Sequence, residues 1–314
     1  MGYVYFVLLA VQFGLQPTLN KLFIPPGISS TLLIALTELI KIVFALGMLY
    51  YSTRQAPWTM VSKRSMRNAF VPAALYSLQN WLIFASLQYL SPLSLSLLNQ
   101  TKTLSAAFFA YWILDRRQSK WQIVGLIGLM LGASLIVLAE SPNDPRQSEN
   151  RLLSVGVPLV GTASLLSGLS SAFTEIALRD GHGNNNGSMV FSMELAVISL
   201  VVLFASVVFG FNPDSQRVRT GQGLGLDKLT MGCLFPLLSS AMGGILVGLV
   251  TQRFGGVKKG FALILGICLA AVVEASFGVG RFTSMHLLAV GFVCMSMWLY
   301  FSPPTLSSDK LKQT

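Results

Sequence analysis

The sequence predicts an all-α membrane protein: ten transmembrane helices in two inverted five-helix repeats, with both termini in the cytosol. Three observations carry that expectation. Of 314 residues, 53% are hydrophobic and only 11% charged, where a soluble domain carries about a quarter charged residues. Apolar segments of spanning length recur along the whole chain. Lys102 and Lys259 stand 157 residues apart, half the chain length. The net charge of +10 would suggest a nucleic-acid partner in a soluble protein. Here basic loops that orient a membrane protein account for it, so no nucleic acid is expected.

The apolar segments run over 3–23, 29–51, 69–88, 93–114, 121–139, 155–178, 188–210, 229–250, 257–277 and 284–301. The first lacks a basic n-region and a small-residue cleavage site, so it reads as a span rather than a leader. Its Gln12, Gln16 and Asn20 recur every four residues and line one face, as interhelical hydrogen bonds or as a cavity wall. The second segment carries Glu38 and Lys41, three apart and able to neutralise each other, either structurally or beside a ligand. The third presents Tyr76, Gln79 and Asn80 on one stripe. Amides with an aromatic ring suit the edge and face of a base, while inter-helix bonding is the plainer use.

The fourth segment contains Lys102, flanked by Asn99, Gln100 and Thr103. If the span starts near Leu93, Lys102 lies about 14 Å in, mid-way through a hydrocarbon core about 30 Å thick. A lysine there costs roughly 2.5–3.5 kcal/mol on insertion scales and marks a polar site or pathway. The triplets Gly125, Gly128, Gly132 and Gly243, Gly244, Gly248 predict close helix crossings. The ninth segment opens Gly255-Gly256-Val257-Lys258-Lys259-Gly260-Phe261, a helix start with a lysine, which suits a phosphate; snorkelling at the cytosolic edge is the alternative for Lys258 and Lys259. Glu175, Glu194 and Glu274 are further carboxylates inside segments, expected mainly as polar packing. His286 lies near a span start without a catalytic setting, and Cys233, Cys268 and Cys294 read as buried, inert thiols.

With the N-terminus in the cytosol, thirteen basic residues of the connections and tail fall on that side and six on the other. The positive-inside rule favours this orientation. The halves also match in spacing: Glu38 to Lys102 is 64 residues and Glu194 to Lys259 is 65. Five spans per half make the repeat inverted, which places a substrate site between the halves near the midplane. The divisions expected are 1–140, 154–302 and a cytosolic tail, 303–314.

Taken together, Thr37-Glu38-Leu-Ile-Lys41, Tyr76-Ser-Leu-Gln79-Asn80, Gln100-Thr-Lys102, Ser167-Gly168-Leu, Gly243-Gly244-Ile-Leu-Val and Lys259-Gly260-Phe261-Ala resemble the nucleotide-sugar transporters, in the branch of CMP-sialic acid and UDP-galactose carriers. The resemblance implies the drug/metabolite transporter fold and alternating access, with a cytosolic pyrimidine nucleotide sugar exchanged for a lumenal nucleoside monophosphate. It implies that Lys102 and Lys259 hold phosphates, that Gln79 and Asn80 read the base beside Tyr76, and that Glu38 and Lys41 line the sugar end. Asn99, Gln100 and Glu194 join the candidate substrate-binding residues. No cofactor is implied; the bilayer and a homodimeric assembly are the expected macromolecular partners.

The chain departs from the animal members, with Trp81 after the Gln-Asn pair, Asn99 in place of a tyrosine, and Phe191-Ser192-Met193-Glu194-Leu195 in place of their Trp-x-Arg-Asn-x-Gln signature. That last stretch is similar to plant-type relatives carrying UDP-N-acetylhexosamines. Lys310 and Lys312 resemble a dilysine retrieval signal, which implies an endoplasmic reticulum or Golgi membrane. Two other readings remain at this level. One is a proton-coupled metabolite or drug exporter of the same fold, with Glu38 or Glu194 as proton carrier. The other is a membrane enzyme or scaffold, for which Asp144, Glu149, Asp214 and Asp227 offer no ligand spacing.

Overall fold

A computed structural model describes residues 2–54, 63–86, 89–90, 95, 98–140, 150–180, 185–210, 214–215, 217, 220–221, 223–276 and 283–302. Asp144, Glu149, the tail lysines Lys310 and Lys312 and the side chain of Glu274 lie outside the described residues. The helices are α1 (Gly2–Phe23), α2 (Ser30–Thr53), α3 (Lys63–Ser86), α4 (Lys102–Leu114), α5 (Lys120–Glu140), α6 (Asn150–Asp180), α7 (Asn185–Val208), α8 (Leu234–Ser276) and α9 (Ser284–Phe301). There is no strand among the described residues. Among the described residues, five helical stretches are long and apolar enough to cross a bilayer: Ser30–Thr53, Val155–Arg179, Gly187–Val208, Met231–Val273 and Ser284–Phe301. The polar Gln12, Gln16, Asn20 and Lys21 dilute α1, and α3 opens on a basic turn.

At 43 residues, α8 would be about 64 Å long if straight, twice a hydrocarbon core. It is not straight. Gly255 has φ +83° and ψ 170°, a backbone conformation open essentially only to glycine. Gln12 lies against Gly243 and the Gly14 backbone against Gly266, so positions on either side of the break meet neighbouring turns of α1. The element is therefore a hairpin of two arms, 234–254 and 256–276, packed side by side along α1.

The most extensive of the remaining helix contacts are α2 on α7, α3 and α4 on α6, and α5 on α9. Glycines set the closest crossings. Gly125 and Gly132 receive the backbone of Ser296 and the side chain of Val293 from α9, and Gly168 of α6 takes the Ser105 backbone of α4. A core of Phe6, Leu9, Leu129, Phe261, Val293 and Tyr300 joins α1, α5, the second arm and α9. Large apolar side chains such as Val43, Phe204, Leu287 and Trp298 remain exposed on the outside, the surface that lipid covers.

Polar groups close the helix ends and ladders. Gln12 donates to Gln16 (3.1 Å) and Gln16 to Asn20 (3.0 Å), while Gln16 also donates to the Pro236 carbonyl (3.0 Å). The polar face of α1 is thus an interhelical seam. Asp214 accepts from the Thr31 hydroxyl (2.7 Å) and the Thr31 N–H (3.3 Å), tying the loop before α8 to the start of α2. Ser119 and Gln122 form a reciprocal cap on α5, with bonds of 2.8 and 3.2 Å. His286 is likewise a capping group, its Nδ1 accepting from the Thr283 N–H (3.1 Å).

Glu175 of α6 binds the break in α8. Its Oε2 accepts from the Gly256 N–H (3.0 Å), and its Oε1 pairs with Arg116 (2.7 Å) and Arg179 (3.1 Å). Arg116 is aimed there because α4 ends on Asp115 in left-handed backbone (φ +50°), with the Arg116 N–H returning to the Ala110 carbonyl (3.1 Å). Two expectations need correction. Cys294 is exposed rather than buried, because an apolar window does not reveal which side of a helix faces out. The continuous helix expected over 93–114 is interrupted at Gln100 and Thr101, and α4 starts at Lys102.

These features predict the following stability outcomes, read as thermal unfolding of detergent-purified protein. Gly255→Ala forces a strained backbone and drives a methyl into Glu175 and Arg116; it should destabilise by about 1–3 kcal/mol. Gly161→Ala, in open space on α6, should leave stability unchanged or raise it. Glu175→Gln strands two guanidinium groups and should lower stability by about 2 kcal/mol, with Arg116→Gln added to it restoring part of the loss.

Candidate functional site

Lys102 opens α4. Just before it, the Thr101 hydroxyl donates to the Leu98 carbonyl (2.7 Å) and lies 2.9 Å from the Ser164 hydroxyl of α6. The Thr103 N–H returns to the Gln100 carbonyl (3.2 Å). These short-range bonds end one turn and start the next, so the Lys102 ammonium stands at the positive end of a helix dipole. The sequence predicts that arrangement at Lys259 instead. There the helix start is already taken, because the Gly256 N–H at the head of the second arm donates to Glu175. Lys259 lies one turn further on.

The two lysines are brought together. The Thr103 side chain faces Gly260 across the gap between α4 and the second arm, so Lys102 and Lys259, each one residue earlier, project from facing helices. Both are half-buried, and the Lys259 charge acts on Lys102. Two ammonium groups held this way repel, and an anion between them relieves the repulsion.

Glu38 and Lys41 form the expected pair, with the Lys41 Nζ 2.8 Å from each carboxylate oxygen. The Lys41 stem lies over Gly244 of the first arm; a side chain there would displace it. On α3, Tyr76 and Gln79 are half-buried and Asn80 is exposed. The Gln79 Oε1 is enclosed and accepts no hydrogen bond from the described residues, and an enclosed amide oxygen suits a ligand donor. Asn99 is half-buried and Gln100 buried, in the turn that delivers Lys102. Glu194 of α7 is fully buried.

Sequence reasoning grouped Glu175 with polar packing and missed that it organises the α8 break. The signal was present. Ser164, Gly168, Ser171 and Glu175 recur at helical spacing on α6, and they meet Thr101, Ser105, Gly256 and the Gly255–Gly256 turn. A stripe of small and polar residues ending in a carboxylate marks the face on which two other helices converge.

The chain matches the family model of the nucleotide-sugar transporters over residues 22–301. It is 32% identical to a UDP-N-acetylglucosamine transporter of Arabidopsis thaliana, over 98% of this chain and 94% of that one. It is 26% identical to a UDP-galactose transporter of Schizosaccharomyces pombe, covering 98% and 90% of the two chains. It is 25% identical to CMP-sialic acid transporter 3 of Arabidopsis thaliana, covering 88% and 70%. A solved crystal structure shares the fold with a TM-score of 0.70 over 95% of each chain, at 9% identity. The match over nearly the whole length, with lysines from its two halves facing each other, leads to one conclusion: the chain belongs to the nucleotide-sugar transporter family.

Proposed function

We propose that this protein exchanges a cytosolic pyrimidine nucleotide sugar for a lumenal nucleoside monophosphate by alternating access. UDP-N-acetylhexosamine is the first candidate sugar nucleotide, with UDP-galactose and CMP-sialic acid behind it. The observation that carries the reading is the Thr103–Gly260 contact, which sets Lys102 beside Lys259. In this reading the two ammonium groups and the start of α4 grip the phosphates. Gln79 and Asn80 read the base beside Tyr76, with Asn99, Gln100 and Glu194 completing the wall. Glu38 and Lys41 line the sugar end.

The same reading takes the α8 arms as two spans, making ten helices in two inverted repeats, 1–140 and 154–302, before the tail 303–314. Exchange of the halves carries each packed pair onto another: α3 and α4 on α6 correspond to the two α8 arms on α1. The α2–α7 and α5–α9 pairs map onto themselves. That correspondence supports the inverted repeat. In this reading the protein works in an endoplasmic reticulum or Golgi membrane, as a homodimer.

Antiport follows from electrostatics. An empty carrier must move unpaired ammonium groups through a closed, poorly solvated state, so reorientation is slow until an anion returns. Reconstituted in liposomes, the protein should take up labelled UDP-N-acetylglucosamine only when the lumen is loaded with UMP or CMP. Lys102→Ala and Lys259→Ala should each lower exchange by about tenfold or more, since each removes a charge-assisted phosphate contact. Uptake that needs a pH gradient, ignores lumenal nucleotide and survives Lys102→Ala would instead favour the proton-coupled exporter.

A further inference from the structure

We propose that the protein has a second anion site, at the end of the bundle that its basic residues assign to the cytosol, and that it takes a phosphomonoester group. A cavity of about 320 Å³ opens there, lined by Arg116, Arg117, Arg253, Lys258, Phe254 and Tyr300. Neither Lys102 nor Lys259 lines it. A volume of this size is at the lower end of small-molecule pockets.

Its four cations come from parts of the chain far apart in sequence. Arg116 and Arg117 sit in the turn after α4, and Arg253 and Lys258 flank the Gly255 break. Positive-inside bias would scatter such residues over separate loops; here folding aims them into one space. Glu175 answers Arg116. Lys258 lies over the Phe301 ring (5.2 Å), and an aromatic face orients a cation without cancelling its charge; Arg253 lies over the Tyr5 ring (4.9 Å).

The remainder of the wall is built rather than incidental. The Tyr300 hydroxyl donates to Gln118 (3.0 Å), and Gln122, already half of the α5 cap, donates to the Tyr300 carbonyl (3.4 Å). These bonds fix the linker that carries Arg116 and Arg117 against α9. Trp112, Trp121 and Trp298, 70%, 40% and 63% exposed, ring the same end of the bundle. Exposed tryptophans mark the headgroup level of a bilayer. The cavity thus lies where a phospholipid headgroup can reach it, and basic pockets between helices at that depth suit phosphorylated headgroups. A phosphomonoester carries nearly two charges near neutrality, which matches this concentration of cations better than the single charge of a phosphodiester. Soluble phosphate offers the same chemistry from the water side.

The test uses full-length protein in detergent and reads the thermal unfolding midpoint during titration. The probes are dioctanoyl phosphatidylinositol 4-phosphate, dioctanoyl phosphatidylcholine and inorganic phosphate. The phosphoinositide should stabilise the wild type. Its apparent affinity should fall by about tenfold in Arg117→Gln/Lys258→Gln, which loses two charged contacts, and stay at the wild-type value in Lys102→Gln. Where inorganic phosphate stabilises equally and the double variant abolishes the effect, the site takes a soluble phosphate. An equal response to phosphatidylcholine, an unchanged double variant, no response from either phosphate probe, or loss of the response in Lys102→Gln would overturn the proposal. Should the double variant not fold, Arg117→Gln alone, in an exposed turn, should weaken binding by about threefold. This inference does not depend on nucleotide-sugar exchange, and the Lys102→Gln arm keeps the two separable.

Discussion

The carboxylate of Glu175 is the group on which the geometry of the bundle depends. A reversal of backbone packed among other helices encloses N–H groups that need an acceptor in place of water. At Gly255–Gly256 that demand is met by Glu175, which accepts the Gly256 N–H and is itself balanced by Arg116 and Arg179. One side chain on α6 therefore holds the turn of the α8 hairpin and the linker that follows α4. Because the carboxylate is fully enclosed while the two guanidinium groups keep part of their surface in water, the pairing avoids most of the desolvation penalty of a wholly buried bridge.

From that anchor the position of the lysines follows. The second arm leaves the Gly255 break along α6 and α4, and within about one turn it brings Gly260 against Thr103. The absence of a side chain at Gly260 lets the helices approach, and Lys102 and Lys259 then share a gap. Elsewhere the protein treats intramembrane charge differently. Glu38 and Lys41 neutralise each other within one helix turn, with Gly244 making room for the lysine stem. Paired charges need no ligand; like charges drawn together do. That contrast is the physical reason the Lys102–Lys259 gap, and not the Glu38–Lys41 pair, is taken as the centre of the proposed phosphate site.

The basic cavity beyond Glu175 belongs to the same construction. The bonds that close α4, cap α5 and tether Tyr300 to Gln118 and Gln122 also hold Arg116 and Arg117 toward the α8 break. An anion bound there would sit one layer outside the Glu175 network and would share Arg116 with it. Arg116 is thus common to the Glu175 network and the cavity wall.

By itself the sequence determined the membrane class, the helical content, the segment edges to within a few residues for most helices, and the intrahelical pairing of Glu38 with Lys41. Each of these rests on residues close together in the chain, where apolarity and a period of 3.6 are sufficient. The glycine triplets also announced close crossings, since only a missing side chain explains them. What tertiary structure alone decided is which surfaces meet. The interruption before Lys102 depends on Thr101 finding Ser164, and the occupied helix start at Gly256 depends on Glu175 reaching it from α6. The exposure of Cys294 and the gathering of Arg116 and Arg117 with Arg253 and Lys258 depend on rotation and docking of whole helices. Hydropathy places a residue in depth but not in azimuth, and a long-range contact leaves no periodic trace in the chain.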